Sequence, residues 1–160
     1  MRPIKVGDTL PKVTLQLSSP ADTVDVQDLF SNKKAILITV PGAFTPGCTK
    51  SHLPGYIKEA ERLKETKGVD LIACATVNDA FVTTAWGKAL HNDDVTLLAD
   101  PKGEFAKALD LDFDASGALG NRRFKRSAMI LENGVVTHLF EEPDKTGLDV
   151  SLVENVEKHL

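Results

Sequence analysis

Apolar residues along this chain recur with two different periods, and the alternation between them sketches the fold. Ala35-Ile-Leu-Ile-Thr-Val40 and Val69-Asp-Leu-Ile-Ala-Cys-Ala-Thr-Val77 are short, mostly apolar, β-branched runs that read as buried strands. Val13-Thr-Leu-Gln-Leu17 alternates as a short strand, and Thr96–Ala99 is a further one. After the first buried run Ile57, Ala60 and Leu63 recur at helical spacing until Gly68, in a helix that opens at Thr45 or Pro46. A second amphipathic helix, Ala80–Leu90, takes Asn78 or Asp79 as its cap. Asp100-Pro-Lys-Gly turns the chain into a helix over Glu104–Leu109, and Asp114–Asn121 reads as a glycine-containing loop. Ser127–Glu132 and Val135–Phe140 flank Asn133-Gly134, the strongest hairpin signal in the chain. Leu152, Val153 and Val156 share a face of a closing helix, Val150–Leu160. Ahead of the first buried run, Ser18–Thr23 is turn-rich and Val26–Phe30 has the length of one or two helical turns.

This order, β-α-β-α-β-α followed by a hairpin and a final helix, predicts an α/β protein with a central mixed sheet flanked by helices. A thioredoxin-like fold with a C-terminal β-hairpin and helix fits it. A flavodoxin-like order begins in the same way, but a doubly wound sheet would continue with parallel strands where this chain turns a hairpin. The 160 residues, 42% hydrophobic and free of repeats or linkers, suit one globular domain over 1–160.

A net charge of −4 with both signs interspersed, and a pI near 5.5, argue against nucleic acid or an anionic membrane as partner. No run of 18 apolar residues exists to span a membrane, and Met1-Arg-Pro-Ile-Lys-Val-Gly7 lacks the apolar segment of a secretory signal. Two cysteines without an export signal suggest a reducing compartment. The cytoplasm is therefore expected. The mitochondrion stands as an alternative if a presequence has been removed, and the peroxisome because Lys158-His-Leu160 faintly resembles a Ser-Lys-Leu address.

The chemistry concentrates where the first buried strand meets its helix, in Val40-Pro-Gly-Ala-Phe-Thr-Pro-Gly-Cys-Thr-Lys-Ser-His-Leu-Pro-Gly-Tyr56. Cys48 falls in the first helical turn, where unpaired N–H groups and the macrodipole favour an anion. A thiolate is such an anion and is the reactive form of cysteine. Thr45 is expected to cap the helix, and its hydroxyl also lies at a spacing that can address the sulfur or an oxygen approaching it. His52, four residues beyond Cys48, shares its helix face and is placed to assist deprotonation, although a surface or capping role is the commoner use of a histidine. Gly42 and Gly47 have P-loop spacing, but Cys48-Thr49 stands where Lys-Ser/Thr is required, so nucleotide binding is disfavoured. Cys48 and His52 lack a second ligand pair for structural zinc. A disulfide reductase would want Cys-x-x-Cys, and the position three before Cys48 is Thr45.

Pro41-Gly-Ala-Phe-Thr45-Pro-Gly-Cys48-Thr-Lys-Ser-His52-Leu-Pro-Gly resembles the peroxidatic loop of the peroxiredoxins, in the peroxiredoxin 5 or type II branch. The likeness continues through Val77-Asn-Asp-Ala-Phe-Val82, Trp86-Gly87, Leu98-Ala-Asp-Pro101 and Gly120-Asn-Arg-Arg-Phe-Lys-Arg126. It implies a thioredoxin-like fold and thiol-dependent reduction of hydrogen peroxide and organic hydroperoxides through a sulfenic acid on Cys48, without metal, haem or flavin. The non-catalytic alternative is a thiol redox sensor or binding module oxidised once.

The resemblance maps the active-site arginine to Arg126, which immediately precedes the strand Ser127–Glu132; Arg122, Arg123 and Lys125 read as ordinary surface charge. Pro41 and Gly47, with nearby backbone N–H groups, would shape the substrate pocket. Phe44, Phe81, Trp86, Phe113 and Phe124 are candidates to line a pocket or a subunit interface, but for any single one packing in the core is the expected role. Cys74, inside an apolar strand, reads as a small hydrophobe, yet plant type II proteins carry a resolving cysteine at the matching position. Many animal relatives place theirs where this chain has Val150. Either Cys74 or an external thiol, from thioredoxin or from glutaredoxin with glutathione, would recycle Cys48. Geometry favours the external thiol, because a Cys48–Cys74 disulfide needs Cα atoms within about 7 Å and the helix unwound. A homodimer is also implied.

Overall fold

The computed structural model describes residues 3–160; Met1 and Arg2, the start of the expected domain and of the segment read for a secretory signal, lie outside the described residues. The chain enters through β1 (Thr14–Gln16), β2 (Thr23–Asp25) and a short α1 (Val26–Phe30), whose N-cap Asp25 accepts from the Asp28 amide. The first buried run forms β3 (Lys34–Val40), and the long helix α2 (Leu53–Thr66) follows it. Then come β4 (Leu71–Thr76), α3 (Ala80–Ala89) with Asp79 as its cap, β5 (Thr96–Ala99) and α4 (Glu104–Ala108). A two-stranded ribbon, β6 (Asp112–Asp114) and β7 (Arg122–Phe124), encloses the single turn α5 (Ser116–Leu119). The hairpin strands β8 (Ser127–Glu132) and β9 (Val135–Glu141) and the short α6 (Val153–Val156) complete the chain.

Among the described residues the main sheet has seven strands in the order β2-β1-β5-β4-β3-β8-β9. Strands β3, β4 and β5 are parallel, and β8 pairs antiparallel to β3, so the sheet is mixed. That antiparallel return makes the architecture thioredoxin-like rather than doubly wound. The return depends on Asn133 (φ 52°) and Gly134 (φ 75°), whose left-handed conformations suit a two-residue hairpin turn.

The period-2 rule explains how one strand serves two cores. Ala35 and Leu37 of β3 pack with Phe30, Phe105 and Phe124 on one face, whereas Ile36, Ile38 and Val40 face Tyr56, Leu63, Cys74 and Trp86 on the other. Each fully buried Leu, Ile or Phe contributes about 2 kcal/mol by burial. Cys48 belongs to the second cluster, so it is held on the sheet by apolar packing as well as by its loop.

Three expectations are corrected here. The segment 114–121 is not all loop, because α5 forms a turn that Gly120 closes at φ +84°. The closing helix is shorter than Val150–Leu160: α6 begins at Val153 and passes into a 3₁₀ turn at Glu157–His159. Its expected first turn is pulled out of line because the Glu142 carboxylate takes the amides of Asp149 and Ser151. Phe44 and Phe81 are not core residues; they are 52% and 65% exposed, while Trp86 and Phe124 are buried. No helix among the described residues is long and apolar enough to cross a membrane.

Candidate active site

Strand β3 delivers the chain into the loop at Pro41, and a neighbouring strand end holds that loop in place. The Ala43 amide donates to Asn78 Oδ1 (2.9 Å), which also accepts from the Thr76 hydroxyl at the end of β4 (2.5 Å). The Thr45 hydroxyl donates back to the Gly42 carbonyl (2.7 Å) instead of capping the helix. Its lone pairs still accept, so it can receive a hydrogen bond from an incoming O–H. The Thr49 amide meets the Thr45 carbonyl (3.0 Å), and Pro46 and Gly47 are already helical, as expected.

Cys48–His52 is a π-helical turn, in which the Leu53 amide bonds to the Cys48 carbonyl. Such turns are uncommon and cluster at functional sites. The wider turn drives both of its ends inward, and Cys48 and His52 are each 0% exposed. Helix α3 braces the turn, where buried Trp86 donates from Nε1–H to Thr49 Oγ1 (3.0 Å).

One guanidinium group meets this turn and a second meets the loop ahead of it. Arg126, 3% exposed, donates from Nη1 to His52 Nδ1 (2.9 Å) and from Nε to the Thr146 carbonyl (3.2 Å). A Cβ on Gly47 would sit 3.0 Å from Arg126 Nη2, so a side chain there would crowd the guanidinium. Arg123 is half-buried and donates from Nη1 to the Pro41 carbonyl (3.0 Å) and from Nε to Asn121 Oδ1 (2.6 Å). A Cβ on Gly42 would lie 2.5 Å from Arg123 Nη1, so a side chain there would displace the guanidinium from its place at the Pro41 carbonyl. Burial pulls the Arg123 pKa below the usual guanidinium range, while the charge of Cys48 works to raise it. Arg123 is thus not the surface charge expected of it. Arg122 and Lys125 do face outward, paired with Asp112 (2.8 Å) and Glu141 (3.5 Å). No sequence signal marks Arg123, because β7 exists as a strand only through its pairing with β6.

His52 is not a surface residue, and although it stands at the N-cap position of α2 its side chain makes no capping bond. Its Nδ1 faces an arginine donor and must accept, so the proton sits on Nε2, which donates to the Ser151 carbonyl (3.2 Å). Burial first, and then the Arg126 charge, lower its pKa from 6.5 to about 3. The Tyr56 hydroxyl donates to the same Ser151 oxygen (2.6 Å), and the two rings meet edge to face at 5.7 Å. A sequence signal existed: His52, Tyr56, Ala60 and Leu63 extend one helical stripe inward from the known apolar positions.

Cys74 lies in β4 with Ile38 and Leu97 as its neighbours across the ladder. It is 0% exposed and on the same face as Cys48, and both thiols are free. Burial is the main cause that pushes its pKa well above the ordinary thiol value.

A sequence model described as Redoxin matches residues 5–156. The chain is 45% identical to peroxisomal membrane associated protein 20 of Schizosaccharomyces pombe, over 96% of this chain and 97% of that protein. It is 45% identical to peroxiredoxin-2D of Arabidopsis thaliana, over 86% of each. Among solved structures, reduced Prx3 from Vibrio vulnificus in complex with H2O2 superposes with a TM-score of 0.92 at 47% identity, covering 98% of this chain and 99% of that one.

Proposed function

The chain belongs to the Redoxin family, in the type II branch of the peroxiredoxins, and is a thiol-dependent peroxidase; from that premise we propose that Cys48 is its peroxidatic nucleophile. The observation that carries this reading is the burial of Cys48 in a π turn whose last residue, His52, holds Arg126, behind a loop whose Pro41 carbonyl holds Arg123. The Cys48 thiolate attacks the terminal peroxide oxygen, the O–O bond breaks, and the alkoxide or hydroxide leaves and takes up a proton. Sulfur is oxidised to the sulfenic acid as the peroxide is reduced to alcohol or water. Thr45 accepts from the peroxide O–H, because its own proton is already given to Gly42. Arg126 stabilises the charge that moves onto the departing oxygen, and Arg123 holds the Pro41 carbonyl side of the pocket. Gly47 leaves the room this needs. His52 orients Arg126 and is not the base, since its acceptor nitrogen is occupied and its pKa is about 3.

Recycling uses an external thiol: one donor thiol condenses with the sulfenic acid and releases water, and a second reduces the resulting mixed disulfide. Thioredoxin or glutaredoxin with glutathione supplies them. Cys74 is the alternative partner, but it is locked in β4 between β3 and β5. Exposed Phe44 beside the loop supports a homodimer, which sedimentation at graded concentrations tests. Cytoplasmic residence is the working assignment, with the peroxisome raised by the name of the fission-yeast relative. Steady-state peroxide consumption with thioredoxin, glutaredoxin plus glutathione, or dithiothreitol identifies the donor. Turnover that survives in Cys48→Ser would overturn the nucleophile assignment.

A further inference from the structure

We propose that Glu142 is a positioning residue for peroxide reduction: it clamps the 149–151 turn, and the Ser151 carbonyl then fixes His52 and, through it, Arg126. The proposal rests on Arg126 acting at Cys48 as above. Glu142 is buried, 2% exposed, just beyond the end of β9, and nothing in the chemistry of sulfur calls for a carboxylate there. One of its oxygens, Oε2, accepts three hydrogen bonds: from the Asp149 amide (2.9 Å), the Ser151 amide (2.9 Å) and the Ser151 hydroxyl (2.6 Å). Bonds to an ionised acceptor are about twice as strong as neutral ones, so this oxygen sets the path of the turn.

The turn matters because of its carbonyl. Ser151 O receives Tyr56 O–H (2.6 Å) and His52 Nε2–H (3.2 Å). A neutral imidazole has one donor and one acceptor, so giving its proton to Ser151 leaves Nδ1 to accept from Arg126 Nη1 (2.9 Å). The opposite tautomer would set an N–H against the guanidinium.

The strap between Glu142 and Ser151 meets Arg126 at further points. The Arg126 amide donates to the Lys145 carbonyl (2.7 Å), and the Glu142 amide donates to the Arg126 carbonyl (3.1 Å). Arg126 Nε–H reaches Thr146 O (3.2 Å). The backbone of Arg126 is therefore set by the start of the strap, whereas its Nη1 is set by the far end, through Ser151 and His52. Glu142 closes the strap on itself and ties the two together.

Glu142→Gln keeps the size but leaves a neutral oxygen to serve three donors; Ser151→Ala removes only the hydroxyl bond. In stopped-flow oxidation of reduced protein by hydrogen peroxide, Glu142→Gln should lower the second-order rate constant about tenfold, the scale of losing hydrogen bonds to a charged acceptor. Ser151→Ala should lower it less. Nitrogen-15 NMR of the imidazole should show His52 as the Nε2–H tautomer in the wild type and a mixture of tautomers in Glu142→Gln. An unchanged rate, or a slower rate with the His52 tautomer intact, would overturn the clamp. If Glu142→Gln does not fold, Ser151→Ala carries the same two readouts. The tautomer readout needs no turnover, so failure of the clamp is distinguishable from failure of the Cys48 assignment, which Cys48→Ser reports separately.

Discussion

Lowering the pH from 7 to 5 should cost this fold stability through His52. The imidazole is neutral in the folded protein because burial and Arg126 hold its pKa at about 3, against 6.5 for the free side chain. Between those values the unfolded chain binds one more proton than the folded one. The stabilisation is therefore complete above pH 6.5 and is lost as the pH falls towards 3. Each pH unit below 6.5 removes about 1.4 kcal/mol. At pH 5 the loss is about 2 kcal/mol, a large part of a typical net stability. Glu142 does not confuse the reading, because although burial works to raise its pKa, the Ser151 and Asp149 donors together hold the carboxyl below 4.5, and its contribution fades only in more acid solution. Other groups cancel in a comparison with His52→Asn, which cannot titrate. Urea unfolding followed by circular dichroism, with both cysteines kept reduced and protein concentration fixed, gives the free energies. The wild type should lose about 2 kcal/mol more than His52→Asn between pH 7 and 5. Equal losses would refute the buried, neutral His52 and the Arg126 contact that depends on it.

Arg123→Ala should slow Cys48 oxidation about tenfold by freeing the Pro41 carbonyl, while Arg122→Ala, which removes only an exposed pair with Asp112, should stay within about twofold; stopped-flow peroxide kinetics compares them. Gly47→Ala brings a Cβ within 3.0 Å of Arg126 Nη2 and 3.3 Å of Leu148 Cδ1, so it should destabilise by about 1–2 kcal/mol in thermal unfolding and lower the peroxide rate as well. Trp86→Phe removes the bond to Thr49 and should cost about 1 kcal/mol by the same measurement. After one equivalent of peroxide, mass spectrometry should find dimedone on Cys48 and a free thiol at Cys74; rapid, quantitative Cys48–Cys74 disulfide would contradict the external-thiol route.

The strands and the loop were legible because their signals are local. β5 falls on Thr96–Ala99, and β3 and β4 lie within a residue or two of their apolar runs. Asp79 over Asn78 as the α3 cap is a choice between adjacent residues that propensity alone leaves open; Asn78 instead serves the cysteine loop through Ala43. The β6–β7 ribbon was not legible, since it pairs Asp112, Phe113 and Asp114 with Phe124, Arg123 and Arg122, with no apolar alternation to read. Its cross-strand charges identify it only once the register is known.

The π turn was beyond periodicity for a related reason. An extra residue in a helical turn shifts the stripe after it, and the run Ile57, Ala60, Leu63 is indifferent to where the phase began. What selects the π turn is the use made of its last residue. An ordinary α-turn over the same residues would change the angle between Cys48 and His52 by a substantial fraction of a turn, and both are fully buried on opposite duties. Cys48 packs against the sheet beside Cys74, whereas His52 reaches Arg126, 74 residues away, and Ser151, 99 residues away. Those partners become neighbours only because β8 returns antiparallel to β3 and the strap after β9 folds back over α2. The proposed nucleophile can thus be named from one segment, but the contact between His52 and Arg126 exists only as a product of the sheet topology.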